Sequence, residues 1–176
     1  MIERALRFAT ICHEGQKRKG TDIPYIMHPI EAATIVMQMQ FGDDLICAAL
    51  LHDVMEDCGV DYCAISKMFN EQIATVVDEL SEIKSQTWEE RKSHTIEMLK
   101  TTATEDIKVV KLADALSNIR SISRDDFKKQ GYWERFNVSD VGKHAWHYRG
   151  LLEGLKDLKE FGAYTEFDYL VRSVFA

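Results

Sequence analysis

Apolar residues recur at spacings of three and four through most of this chain, and nowhere do they alternate convincingly with polar ones. That period is the signature of amphipathic helices rather than strands. Only two prolines interrupt it, Pro24 and Pro29, both in one short stretch, so every other helix interior is free of the residue that breaks helices. The spacing predicts a helix over 2–14, with Ile2, Ala5, Leu6, Ala9 and Cys12 on one face. A polar, glycine-bearing loop over 15–27 follows. The next helix is expected to open with His28 near its N-cap and Pro29 at the first helical position, where a missing N–H costs nothing. A strongly apolar helix is predicted over 43–57, a short one opened by Asp61, and another over about 71–83 after a break at Asn70. Thr87-Trp-Glu-Glu90 has the form of a capping box before a helix to about 102. A further apolar helix is expected over about 105–121. Val141, Ala145, Tyr148, Leu152, Leu155 and Leu158 form a stripe along one late helix, ended by Gly162, and Thr165 is placed to cap a last one. The expected class is all-α.

With 176 residues, no linker, no internal repeat and no charge block, one domain spanning 1–176 is expected, long enough to bury a core without disulfides. No apolar run approaches the ~20 residues that span a bilayer, and the opening Met-Ile-Glu-Arg does not read as a secretory signal, so a soluble cytoplasmic protein is the expectation. Cys12, Cys47, Cys58 and Cys63 show no paired spacing, which argues against a disulfide scaffold and a zinc–thiolate site. The net charge of −7 opposes nucleic acid or a membrane surface as partner. It leaves room for a small anionic ligand, provided a metal ion or local basic residues receive it.

The segment Ala48-Ala-Leu-Leu-His-Asp-Val-Met-Glu-Asp57 carries the chemistry. In an otherwise apolar stretch, His52, Asp53, Glu56 and Asp57 stand at helical spacings that put them along one acidic stripe. One reading is the exposed face of an amphipathic helix. The other is a cation site, because clustered carboxylates are costly to desolvate without a positive partner. The apolar residues occupy so much of the circumference that the metal reading leads. A second helix repeats the pattern: Lys108, Lys111, Asp114 and Asn118 share a stripe ringed by Val109, Val110, Leu112, Leu116 and Ile119. Here an exposed Lys111–Asp114 pair, worth well under ~1 kcal/mol, is an equal alternative.

Three stretches, Gly15-Gln-Lys-Arg-Lys-Gly20 leading to Pro24-Tyr-Ile-Met-His-Pro29, residues 48–57, and Val110-Lys-Leu-Ala-Asp-Ala-Leu-Ser-Asn-Ile-Arg120, agree in order and spacing with a known family. Together they resemble the HD-domain hydrolase part of the Rel/SpoT alarmone enzymes and the single-domain, Mesh-type small alarmone hydrolases. The resemblance covers about 1–125; the helical part over about 126–176 matches only in class. It implies a compact multi-helix HD-domain fold and one divalent ion, usually manganese, held by His28, His52, Asp53 and Asp114. Such a ligand set also suits iron or zinc. It implies that Glu56 and Asp57 handle the nucleophilic water as base and orienting group. Arg18 and Lys19, in the only run of three basic residues, and Asn118 match substrate contacts, and Ser121 stands where a threonine is usual. Ala115 and Ser117 also depart from the family pattern, which has a basic residue and a His or Tyr there. These small residues suggest a looser substrate pocket. His144 and His147, at spacing three, have no acidic partner in phase and are read as core or surface histidines, and the three tryptophans as packing.

The resemblance implies hydrolysis of the 3′-pyrophosphate of ppGpp or pppGpp to GDP or GTP and pyrophosphate, with no room for a synthetase domain. Two alternatives remain open. One is an HD-type phosphohydrolase for another nucleotide, such as an adenosine alarmone, a 2′- or 3′-phosphorylated nucleotide or a nucleoside monophosphate. The other is a regulator that binds a nucleotide without turnover. No oligomeric state is implied.

Overall fold

Leu45 through Leu51 are buried on every side, as a helix apolar around its whole circumference must be, and the rest of the chain wraps that segment. The computed structural model describes all 176 residues. Ten α-helices follow in order: α1 (Ile2–Cys12), α2 (Met27–Gln38), α3 (Asp43–Leu51), α4 (Val54–Cys58), α5 (Tyr62–Met68), α6 (Glu71–Leu80), α7 (Trp88–Thr101), α8 (Glu105–Arg124), α9 (Val141–Gly154) and α10 (Gly162–Val174). Two short 3-10 turns, Tyr132–Arg135 and Lys156–Leu158, flank α9. The only strand-like pairing is a single bridge between Lys17 and Pro24, which closes the basic loop on itself. No helix is long and apolar enough to cross a membrane.

Helices α3 and α8 form the centre. Helix α2 lies against both, α1 and α6 cover α3, and α10 covers α8, while α7 packs on α9. One continuous apolar core runs from Ala5 to Phe175. The α7–α9 contact depends on two glycines one turn apart. A Cβ on Gly150 would stand 2.3 Å from Ile96 Cδ1, and one on Gly154 would stand 2.7 Å from Leu99 Cβ. The two helices therefore approach more closely than any side chain would allow.

Most helix starts are where the capping residues put them. Asp61 accepts from the Ala64 amide at 2.8 Å and Asn70 from the Ile73 amide at 2.8 Å, and Thr87 and Glu90 form the reciprocal capping box. Three expectations need correction. The apolar helix over 43–57 is two helices, with a tight turn at His52 and Asp53. There the His52 ring, at 2.8 Å, takes the Ala49 carbonyl near the C-terminal end of α3. Helix α2 begins at Met27, so His28 and Pro29 lie inside its first turn. The late stripe breaks after Gly154, and Gly162 opens α10 instead of closing α9, leaving Thr165 inside that helix.

Candidate metal centre and its cleft

The turn between α3 and α4 brings two consecutive ligand types to one point. His52 Nε2 lies 3.0 Å from Asp53 Oδ2. His28, from the first turn of α2, places its Nε2 3.2 Å from His52 Nε2 and 3.6 Å from Asp53 Oδ2. Asp114, midway along α8, places Oδ1 3.2 Å from His28 Nε2 and 3.8 Å from His52 Nε2. Ligands of one ion at bond lengths of about 2.0–2.2 Å stand roughly 3.0–3.5 Å apart, so these spacings fit a shared divalent cation. The ligand atoms of His28, His52 and Asp114 all fall within 4.8 Å of one another, and Asp53 stands beside the two imidazoles, outside that compact set.

The hydrogen bonds on the far side of each imidazole identify the inward-facing atoms. The Ala49 carbonyl can only accept, so Nδ1 of His52 carries the hydrogen and Nε2 is the atom turned inward, with a free lone pair whenever the ring is neutral. His28 Nδ1 meets Ser117 Oγ at 2.9 Å, and that hydroxyl donates onward to Glu31 Oε2 at 2.9 Å, so His28 presents Nε2 in the same way. With both rings neutral, two Nε2 lone pairs and the carboxylates of Asp53 and Asp114 thus face one another. Such an arrangement is repulsive unless a cation joins it, and the donor set fits a divalent metal ion.

Both carboxylates are held from outside by donors. Tyr25 donates to Asp53 Oδ2 at 2.7 Å. Lys111 donates to Asp114 Oδ2 at 2.9 Å and Asn118 to Asp114 Oδ1 at 2.6 Å, while Arg18 donates to Asn118 Oδ1 at 2.8 Å. Burial alone would push both acids up. The imidazoles outweigh it at Asp53, and Lys111 with the imidazoles outweighs it at Asp114, so each lies below the usual carboxylate range. Burial pushes both histidines down; at His28 it prevails, whereas at His52 the charges of Asp53 and Asp114 raise the ring to about 9. That rise reflects the negative charge of Asp53 and Asp114 beside the ring, which a proton or a divalent ion can answer.

The centre forms the floor of a cleft of about 590 Å³. Its lining includes Arg18, Lys19, Asn118, Ser121 and Arg135, and also Glu56, Asp57, Glu82, Lys84, Arg91 and Lys92. Glu82 binds Arg91 at 2.7 Å and Lys92 at 2.5 Å, and its backbone amide donates to Glu56 Oε2 at 3.2 Å. Burial raises the Glu56 carboxyl; the Glu82 amide opposes this, and the charges of Glu82, Asp53 and Asp57 add to it. Asp57 pairs with Lys84 at 3.2 Å. The cleft therefore combines clustered carboxylates with many cationic side chains, on a chain whose net charge is −7.

The model of the family described as "HD domain" matches residues 5–138, three quarters of the chain. The chain belongs to the HD-domain family. Among curated proteins it is 34% identical to a guanosine-3′,5′-bis(diphosphate) 3′-pyrophosphohydrolase of Aquifex aeolicus, over 86% of this chain and 23% of that one. It is 32% identical to the bifunctional (p)ppGpp synthase/hydrolase SpoT of Escherichia coli K12, over 69% of this chain and 18% of that one. The chain thus spans about a fifth of the length of these relatives. Among solved structures, a metazoan ortholog of SpoT that hydrolyses ppGpp superposes with a TM-score of 0.83 at 25% identity, covering 98% of this chain and 94% of that one. A protein of Listeria monocytogenes EGD-e superposes at 0.78 and 29% identity, covering 89% and 100%.

In this HD-domain chain His28, His52 and Asp114 form one cluster with Asp53 beside its imidazoles, and Arg18, Lys19, Asn118, Ser121, Glu56 and Asp57 all line the same cleft. The Lys111–Asp114 pair is not an exposed one: Lys111 is 8% exposed, because apolar residues surround its stem on α8. Of the three small residues expected to loosen the pocket, only Ser121 lines it; Ala115 is packed in the core, and Ser117 turns toward His28 and Glu31. His144 and His147 are buried among aromatic rings on the cleft wall, and neither joins the ligand set. Sequence reasoning missed Tyr25, Glu82 and Glu31. Tyr25 stood inside a quoted motif, three residues before His28, and that proximity was its only signal.

Proposed function

We propose that this chain is a manganese-dependent hydrolase that removes the 3′-pyrophosphate of ppGpp or pppGpp, giving GDP or GTP and pyrophosphate. The observation that carries this is the pairing of a histidine–carboxylate cluster with many cationic side chains in one cleft of an acidic chain. A substrate with two pyrophosphates is the kind of ligand that needs both. The names of the HD-domain relatives, and the SpoT ortholog that shares the fold, support the same substrate.

His28, His52, Asp53 and Asp114 would hold the ion, which when bound supplies Lewis-acid polarisation of a phosphoryl oxygen and a lowered pKa for water. Their mixed nitrogen and oxygen donors suit manganese. Tyr25, Lys111 and Asn118 keep the two carboxylates aimed inward. Glu56, raised by burial and by its anionic neighbours, accepts the proton of the attacking water, and Asp57, tethered by Lys84, orients that water. Attack of that water at the phosphorus attached to the 3′ oxygen forms a P–O bond of the released pyrophosphate and breaks the P–O3′ bond, and the proton taken by Glu56 passes to the 3′ oxygen as the nucleotide leaves. Arg91 and Lys92 receive the departing pyrophosphate charge, while Arg18 and Lys19 face the nucleoside side.

The test is incubation with ppGpp, its adenosine counterpart and a nucleoside monophosphate, with manganese and with chelator, followed by anion-exchange separation. GDP and intact pyrophosphate, formed only with the ion, are expected. Brisk release of single phosphate from the monophosphate, with ppGpp untouched, would move the protein to a nucleotidase role. Full turnover in chelator would reject metal dependence.

A further inference from the structure

The most completely bonded feature outside the reacting groups is a chain that starts at a ligand histidine and leads away from the cleft. His28 Nδ1 meets Ser117 Oγ at 2.9 Å, and Ser117 Oγ donates to Glu31 Oε2 at 2.9 Å. Arg120 at 3.3 Å and Arg124 at 3.0 Å hold the other oxygen of Glu31, and Arg120 is itself fixed by two bonds to Glu166, at 2.7 and 2.6 Å. Ser117 is 1% exposed, so water does not compete for its hydroxyl.

A serine hydroxyl is indifferent by itself. It can accept from Nδ1–H of an imidazole, or it can donate its one hydrogen to a bare Nδ1. The first arrangement leaves Nε2 with a lone pair; the second favours hydrogen on Nε2, at the point where the ion must bind. Glu31 removes the ambiguity. A carboxylate clamped by two arginines can only accept, so it claims the Ser117 hydrogen and turns the oxygen lone pairs toward His28.

We infer that Glu31, acting through Ser117, is a positioning residue that sets the His28 tautomer and so the affinity of the centre for its divalent ion. His52 needs no such device, because the Ala49 carbonyl already dictates its tautomer. The two ligand histidines are therefore fixed in different ways, one by the backbone of its own helix and one by a relay across α2 and α8. Arg120 and Arg124 hold the other oxygen of Glu31 and so keep its carboxylate in place against Ser117. The inference rests on the divalent-ion reading of the centre.

The test is calorimetric titration of metal-free wild type, Ser117→Ala, Glu31→Ala and Ser117→Thr with manganese chloride, with melting temperatures taken with and without the ion. Loss of an outer partner to a ligand histidine commonly weakens metal binding by about 10–100-fold. That loss is expected for Ser117→Ala and Glu31→Ala, with Ser117→Thr, which keeps the hydroxyl, near wild type. The ion-induced rise in melting temperature should shrink in the two alanine variants while their metal-free melting changes little; a role in packing alone would instead lower the metal-free value. Glu31 is only partly buried, so Glu31→Ala remains informative if Ser117→Ala fails to fold. Wild-type binding with both alanine variants within twofold of it overturns this inference alone. A wild type that binds no divalent ion overturns the metal reading together with it.

Discussion

Replacing Lys111 with methionine asks whether a cation belongs beside Asp114. The ammonium lies 2.9 Å from Asp114 Oδ2 and is nearly excluded from water, and methionine keeps most of the apolar stem while removing the charge. Breaking a buried ion pair from one side costs about 3–5 kcal/mol, because the remaining charge is left uncompensated. Asp114 keeps its bond from the Asn118 amide at 2.6 Å, so the lower end, ~3 kcal/mol, is expected for the metal-free protein. For a chain of this size that lowers the melting temperature by roughly 6–12 °C. A bound ion would supply positive charge at Oδ1, the other oxygen of the same carboxylate. With saturating manganese the deficit should then fall to about half. By linkage, a recovery of ~1.4 kcal/mol corresponds to about tenfold tighter ion binding by the variant.

The same substitution should also show in acid. A carboxylate held below its ordinary pKa contributes stability that is present above the unfolded value, near 3.9, and is lost as pH falls through the folded value. Asp114 is held low largely by Lys111, so the deficit of Lys111→Met should be full above about pH 3.9 and should shrink as pH falls below it, where wild type loses the contribution that the variant already lacks. The assays are thermal melts in chelator and in manganese, calorimetric ion titration, and acid titration followed by circular dichroism. An equal deficit with and without the ion, or weaker ion binding by the variant, would refute the reasoning. Either result would mean that no cation shares the field of Asp114.

Two further outcomes are expected. Glu56→Gln and Asp57→Asn should each keep the ion and slow hydrolysis by ~10²-fold or more; Glu56→Gln alone should also flatten the acidic limb of the pH–rate profile, because Glu56 must lose its proton before it can accept one. Wild-type rates in both variants would make these carboxylates structural. Gly154→Ala should destabilise the fold by about 1–2 kcal/mol in urea, the overpacking against Leu99 exceeding the gain in helix propensity, and should raise KM because α7 and α9 both contribute residues to the cleft; unchanged stability would show that the two helices can separate freely.

What could be read in the sequence was whatever one helix displays by itself. His52 and Asp53 stood out because they interrupt an apolar run, and Asp114 and Asn118 because one helical turn puts them on the same stripe. Caps at Asp61, Asn70 and Thr87 were legible for the same local reason. The break after Leu51 was not, because it depends on an imidazole competing for a carbonyl of its own helix, and spacing alone does not show which side chains turn back. Tyr25 and Asp53 meet across 28 positions, and Glu31 and Ser117 across 86, so these bonds exist only once α2, α3 and α8 have packed. Glu31 in particular looks like any polar residue on an amphipathic helix. The ligands were conspicuous as charges in the wrong surroundings, whereas the groups that orient them are ordinary residues made specific by the fold. A protein that kept His28, His52, Asp53 and Asp114 but lost that support would still carry the motif, with four acceptors no longer held toward one point.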